Sequence, residues 1–176
     1  MEKKYKLTDE TVIVDGRTLH RIEALKDFAN IKKGEKGGFI EDEKNLSQGG
    51  DCWVCDNARV YGNARIFGNA RIFGDVFVLN NAQVYGNAEI SDNARIYGYA
   101  TVFEDAMVYG KANIYDNAEI YGKARVYGNV EVYDNARVYG NAKICDDAYI
   151  YNNAKICGNA KVYGNMEVYG NTKFGE

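Results

Sequence analysis

Few side chains in this chain have the types and spacing for catalysis. His20 is the only histidine among 176 residues. Beside Arg21 and Glu23 it could act as a general base, a role that needs a proton acceptor within hydrogen-bond reach of its target. A lone histidine in a strand pattern is expected instead to be a surface residue. Cys52 and Cys55 have the spacing of a redox or zinc pair, but no second pair or histidine accompanies them. Alternation along a strand turns Cys52 inward and Cys55 outward, so a structural role is expected, buried free cysteine behaving as a small hydrophobe. Ser91 is the only serine after Ser47, and no base neighbours it in the pattern, so a nucleophile of the activated-serine kind is not expected. These residues point to no catalytic, cofactor or metal site.

The abundant chemistry-bearing side chain is the phenol: tyrosine occurs 15 times. From Tyr61 to Tyr169, every sixth position is aromatic at 15 of 19 places. Such a series offers contact surface rather than turnover. Large exposed aromatic strips serve as protein contacts, and rings flanked by Arg or Lys can stack bases or sugars.

The spacing of six belongs to a longer phrase, Ala-x-Val/Ile-Tyr-Gly-Asn, plain in Ala58-Arg59-Val60-Tyr61-Gly62-Asn63. Every sixth residue from Val54 to Val168 is Val or Ile, at all 20 positions. A second series, Ala58 to Ala160, holds Ala at 16 of 18 positions, with Val76 and Val130 the exceptions. A strict short repeat is the signature of a solenoid. In Ala58-Arg59-Val60-Tyr61, strand alternation sends Ala58 and Val60 inward and Arg59 and Tyr61 outward. Gly62 and Asn63 turn the corner, both being tolerant of left-handed backbone angles. Three such sides make a triangular coil of 18 residues, and successive coils stack ~4.8 Å apart through backbone hydrogen bonds. The repeat predicts a parallel β-helix of about six to seven coils. Val76, Val130 and Met166 are separated by multiples of 18 residues and so share one slightly roomier side. Asn at 14 of 20 corner places from Asn57 to Asn171 predicts amide ladders between coils. Cys145 and Cys157 are 12 residues apart and fall on different sides, which disfavours a bridge.

Stacking every 18 residues sorts the outward aromatics into three ladders. Tyr61, Leu79, Tyr97, Tyr115, Tyr133, Tyr151 and Tyr169 form the first. Its outward companions are Arg59, Phe77, Arg95, Asn113, Glu131, Tyr149 and Glu167. Stacked rings on all three sides have a structural role, clipping adjacent coils together. The first side is also the best interface candidate, with Phe77, Tyr97, Tyr115, Tyr133, Tyr149, Tyr151 and Tyr169 as its partner-binding residues. The pattern breaks at Met166, Thr172 and Phe174, where an open end could pair with a twin or a strand of another protein.

Residues 1–50 read as a cap module and residues 51–176 as the β-helix. Thr11 to Ile22 reads as a β-hairpin turning at Asp15-Gly16. Ala24 to Asn30 is expected to form a short helical turn, and Lys32 to Gly38 a flexible charged loop. Terminal units of solenoids need a cover over their apolar end, which is the expected role of this segment.

Formal charge is −3, with acidic and basic residues nearly balanced. That disfavours nucleic acid, which needs a concentrated basic surface. No run approaches the ~20 apolar residues of a membrane span, and the start lacks the apolar stretch of a secretory signal. A soluble, cytoplasmic protein is expected.

The phrase resembles the hexapeptide repeat of left-handed parallel β-helices, in which an aliphatic residue is followed four places later by a small one, as Val60 by Ala64 and Ile66 by Ala70. The resemblance implies the left-handed form, against the usual right-handed crossover. The N-terminal segment resembles YdcK-like proteins of bacteria and their phages at Lys4-Tyr5-Lys6-Leu7, at Arg21 through Phe28, at Gly37 through Glu41 and at Asn45-Leu46-Ser47. Many members of the wider superfamily are acyltransferases, often trimeric, using a histidine base and a loop interrupting the coils. Carbonic anhydrases of the same fold hold zinc through three histidines. This chain has neither a histidine in its coils nor an interruption. The expected function is therefore a non-catalytic binding protein, displaying its tyrosine-rich faces to a protein partner or to further copies in a dimer or trimer. A phage-encoded inhibitor of a bacterial defence enzyme such as a nuclease is one form of that expectation. An acetyl-CoA-dependent acyltransferase is the alternative, and an ice or carbohydrate binder ranks lower because flat threonine ladders are absent.

Overall fold

The computed structural model describes residues 2–176. Within each phrase the regular strand is two residues long, as at Arg59–Val60, with the outward residue followed by a fully buried aliphatic one. The expected four extended residues shorten to two because the flanking positions already bend toward the corners. Val60 pairs in parallel register with Val78, and Val78 with Ile96. The Arg59 N–H donates to Val76 O at 2.9 Å and the Tyr61 N–H to Val78 O at 3.1 Å, and this pattern recurs coil after coil. The fold is thus all-β, a parallel β-solenoid with three sheets. The first runs from Arg59–Val60 to Glu167–Val168, the second from Arg65–Ile66 to Lys173–Phe174, and the third from Trp53–Val54 to Lys161–Val162.

Corners divide their work between two residues. Gly62 has φ +70°, and the equivalent places hold Asp56 (+52°), Asn80 (+61°), Asp92 (+61°) and Glu104 (+58°). The following residue, Asn63 in the type phrase, is not left-handed, contrary to the sequence expectation that both would be. Its amide reaches the next coil instead: Asn63 Nδ2 donates to Asn81 Oδ1 at 3.2 Å, Asn69 to Asn87 at 3.0 Å and Asn129 to Asp147 at 2.8 Å. One residue is enough to redirect the chain, which leaves the next free to form the ladder.

The interior is a column of Val and Ile with Ala beside each corner, almost all fully buried. Each aliphatic contributes about 1.5–3 kcal/mol, largely offset by the cost of ordering the backbone. Val76 and Val130 lie buried in one column beside the first sheet, which Met166 continues at 37 % exposure in a late coil.

At the other end, β1 (Tyr5–Val14) and β2 (Arg17–Ala24) form an antiparallel hairpin. Its turn residues Asp15 and Gly16 have φ of +50° and +74°, as a two-residue primed turn requires. β3 (Lys36–Ile40) pairs antiparallel with β2 and parallel with Arg59–Val60. Hairpin and first sheet are therefore one continuous ten-stranded sheet.

Two expectations fail here. Ala24 to Asn30 is not a helical turn: Phe28 and Ile31 form an antiparallel bridge around Ala29, whose φ is +45°. That reversal buries Ile31 and sets Phe28 edge-on to Trp53 at 5.4 Å. Nor is Lys32 to Gly38 a loop throughout, since Lys36, Gly37 and Gly38 belong to β3. A Cβ on Gly38 would lie 2.6 Å from Ala58 O and 2.7 Å from Val54 Cγ1. The glycines permit close packing on the first coil, a use that leaves the same letters in the sequence as flexibility does.

The end is covered by side chains from this segment. Trp53 is outward by alternation yet 1 % exposed, beneath Tyr5 and Phe28. The buried Lys4 ammonium donates to Cys52 O at 2.8 Å and Gly50 O at 3.1 Å. Asn45 caps the next rung through Gly62 O at 3.1 Å and Ala64 O at 2.9 Å. Among the described residues no helix is long and apolar enough to cross a membrane.

Candidate functional site

The outer face of the first sheet collects all seven residues singled out in the sequence. Phe77 and Tyr149 lie on rungs of one column, and Tyr97, Tyr115, Tyr133, Tyr151 and Tyr169 stand beside them in the next. Their spacing follows from the coil rise. Tyr97–Tyr115 and Tyr115–Tyr133 stack at 4.9 Å, Tyr133–Tyr151 at 5.1 Å and Tyr151–Tyr169 at 5.3 Å, with interplanar angles of 15° or less. Strand spacing is ~4.8 Å, so the backbone imposes the stacking and the rings shield the backbone bonds beneath them. Ring edges and hydroxyls remain at the surface. Exposure rises toward the late coils, reaching 38 % at Tyr149 and 54 % at Tyr169.

The early rungs are not open. Leu19, Phe39 and Tyr61 form one buried cluster, and Val12 and Val14 of the hairpin and Phe77 and Leu79 of the coils pack against it. The Tyr61 hydroxyl donates to Asp15 Oδ2 at 2.9 Å. Burial first, and then this bond to a carboxylate, push the Tyr61 phenol up to about 12. The hairpin tip thus curls over the face and leaves a cleft of about 360 Å³ between Asp15, Phe77, Arg95 and Tyr97. Phe77 is also sandwiched by guanidiniums, Arg59 at 5.1 Å and Arg95 at 5.3 Å from its ring centre. The sequence showed the hairpin but not where its tip would go. Leu19 and Val12, apolar residues on an otherwise exposed ribbon, were the signal.

Charges on this face are sorted by height. Arg59 and Arg95 occupy early rungs, Glu131 and Glu167 late ones. The carboxylates accept from tyrosine hydroxyls, Glu131 from Tyr115 at 3.0 Å and Glu167 from Tyr151 at 3.2 Å. Burial and the bond to Glu131 raise the Tyr115 phenol well above its ordinary range. Among the described residues, none of these four charged groups has an ion-pair partner within 4 Å.

The other faces differ. On the second, Phe67, Tyr85, Phe103, Tyr121 and Tyr139 stack at 4.7–5.0 Å, and Glu119 pairs with Arg137 at 3.0 Å. On the third, only Tyr109 and Tyr127 stack, because Ser91 and Cys145 interrupt the ladder.

The residues with catalytic chemistry remain apart. His20 Nδ1–H donates to Thr8 O at 3.0 Å, within the hairpin. Cys52 is buried against Lys4, and Cys55 is on the outer side, its thiol pushed up to about 11 by burial. Cys145 and Cys157 are free thiols on different sides. The arrangement can hold flat, aromatic, hydrogen-bonding surface against another molecule. No protein-family model matches the chain, and no curated protein matches it.

Proposed function

We propose that this chain is a non-catalytic binding protein whose first-sheet face is a protein-docking surface. One observation carries the reading: an unbroken strip of stacked phenol rings runs down this face from Tyr97 to Tyr169, flanked by charges that have no ion-pair partner among the described residues. Tyrosine and arginine are the residues that dominate the energetics of protein contacts, and tyrosine supplies area at little entropic cost. The solenoid keeps the strip rigid, so docking costs little ordering. The hexapeptide-repeat, YdcK-like resemblance adds a setting, a bacterial or phage protein in the cytoplasm, and a partner class, a defence enzyme such as a nuclease that a rigid prism could obstruct.

The combined variant Tyr97→Ala, Tyr115→Ala, Tyr133→Ala, Tyr151→Ala tests the reading. Cross-linking of the purified chain in its host extract, with quantitative mass spectrometry, should show partners or self-contacts that this variant loses, while circular dichroism retains the β signal. Equal association by both proteins would reject the face. A thermal shift with acetyl-CoA would redirect the assignment to acyl transfer.

A further inference from the structure

The outward column of the first sheet reads Arg59, Phe77, Arg95, Asn113, Glu131, Tyr149, Glu167. Reversed about Asn113, the column sets each residue at the height of a complement. Arg95 faces Glu131 and Asn113 faces itself across the open rungs, while Phe77 and Arg59, beneath the hairpin tip, stand at the heights of Tyr149 and Glu167. A two-fold axis lying along the strand direction at the height of Asn113 performs this reversal and carries each column onto the same column of a second copy. We propose that this face pairs with a second copy of the chain, the two solenoids antiparallel, centred on Asn113 and Tyr115. The inference rests on the reading of the face as a docking surface and names its occupant; the other two faces of such a dimer stay outward for a third protein.

Three observations favour this occupant over another protein. Among the described residues the charges concerned make no ion pair, whereas on the second sheet Glu119 is already held by Arg137 at 3.0 Å. Complementarity along the whole column is confined to this face. The second sheet's column, Arg65, Gln83, Thr101, Glu119, Arg137, Lys155, Lys173, sets Arg65 against Lys173 on reversal, and the third sets Arg71 against Lys143. A parallel dimer with its axis along this column would oppose Arg95 to Arg95 and Glu131 to Glu131, which is repulsive. Isologous two-fold contacts require a self-complementary patch, and this column is one. The ladder beside it obeys the same axis, with Tyr97 against Tyr133 and Tyr115 against itself. The hairpin tip, already over Tyr61, falls against the partner's late rungs, where Tyr149 and Tyr169 are most exposed and where the outward Ile13, 77 % exposed, can find cover.

The area sets the strength. Counting the hairpin tip as the contacting surface over the early rungs, six rung spacings of ~4.8 Å and a side about 17 Å wide give on the order of 500 Å² per copy. The total, about 1,000 Å², is at the lower bound for a specific interface, so dissociation in the micromolar range is expected.

Multi-angle light scattering at about 10–300 µM in low salt tests the proposal. The wild-type mass should rise toward twice 19.7 kDa. Arg95→Glu and Glu131→Arg should each weaken the dimer on the order of tenfold, since two-fold symmetry applies each change twice to exposed pairs. The double variant Arg95→Glu, Glu131→Arg should restore it, and about 0.5 M salt should weaken the wild type. Both sites are outward, and thermal melts confirm that each variant folds. A wild type that stays monomeric, or a double variant no tighter than the singles, overturns the antiparallel dimer. In either case the docking face itself survives if the four-tyrosine variant still loses a partner. If that variant loses nothing, both readings fall.

Discussion

Ala118 shows how narrowly single positions are set. It is fully buried beside a corner, as are the alanines above and below it at Ala100 and Ala136. The column beside the first sheet accommodates Val76 and Val130 at the same depth. Ala118→Val should therefore cost about 1–3 kcal/mol by overpacking, and Ala112→Val, in the roomier column, distinctly less. Urea denaturation followed by the fluorescence of Trp53, the only tryptophan, measures both. Equal costs would show that the columns are not distinct. Tyr61 makes a prediction in pH. Its folded phenol is pushed up to about 12, above the ordinary 10, so the fold favours the neutral form. Below pH 10 both states are protonated and the contribution is complete; between 10 and 12 the unfolded chain ionises first and stability falls. Cys55, pushed up to about 11 by burial, has the same sign. The urea midpoint should decline across that window and less steeply in Tyr61→Phe. A slope unchanged by that substitution would mean that the hairpin tip does not hold Tyr61.

At the scale of elements, acidic residues at the corner places do work that glycine cannot. Asp92 Oδ2 accepts from the Gly110 N–H at 2.9 Å, Asp146 from Gly164 at 2.9 Å and Glu104 from Gly122 at 2.8 Å. Each fastens its corner to the next coil while holding positive φ. Asp92→Gly removes the fastening and keeps the backbone angle, whereas Asp92→Ala removes the fastening and strains the corner. The Ala variant should lose about 1–2 kcal/mol relative to wild type, and the Gly variant less than Ala. Hydrogen exchange at the Gly110 amide reports the local opening, and protection equal to wild type in both variants would discount the fastening. This element scale is also where the sequence was legible in part. The six-residue period determined the rungs, the three sheets, the interior column and the aromatic ladders, because each depends on periodicity alone. The corner asparagines pointed to the amide ladders, but not to Gly62 turning the corner alone, since Asn also tolerates left-handed angles. Nor did the period show Gly37 and Gly38 in a strand or Phe28 and Ile31 in a tight bridge, because those depend on Trp53 and Val54, contacts distant in sequence. The candidate face was legible as a column of aromatics. The hairpin tip over its early rungs was not, because a ribbon's curl is settled by packing.

For the whole molecule, the periods of six and eighteen separate what the fold requires from what the face requires. The interior repeats every six residues, so inserting one phrase leaves Val or Ile stacked on Val or Ile. Outward columns repeat every eighteen, so the same insertion turns everything after it by one side. Consider a copy of residues 117–122, Asn-Ala-Glu-Ile-Tyr-Gly, placed after Gly122. Arg59, Phe77, Arg95 and Asn113 stay on the first sheet. Glu131, Tyr149 and Glu167 move to the next, and Arg125, Lys143 and Lys161 take their places. The first face then carries cations along its whole height, and its reversal opposes Arg95 to Arg125. The expected protein keeps the β-rich circular dichroism spectrum and melts close to the wild type, because backbone ladders and core are intact. It should be monomeric at concentrations where the wild type dimerises. Loss of folding would show that the outward columns, and not only the interior, hold the coils together. A folded protein that still dimerises would place the contact on another face.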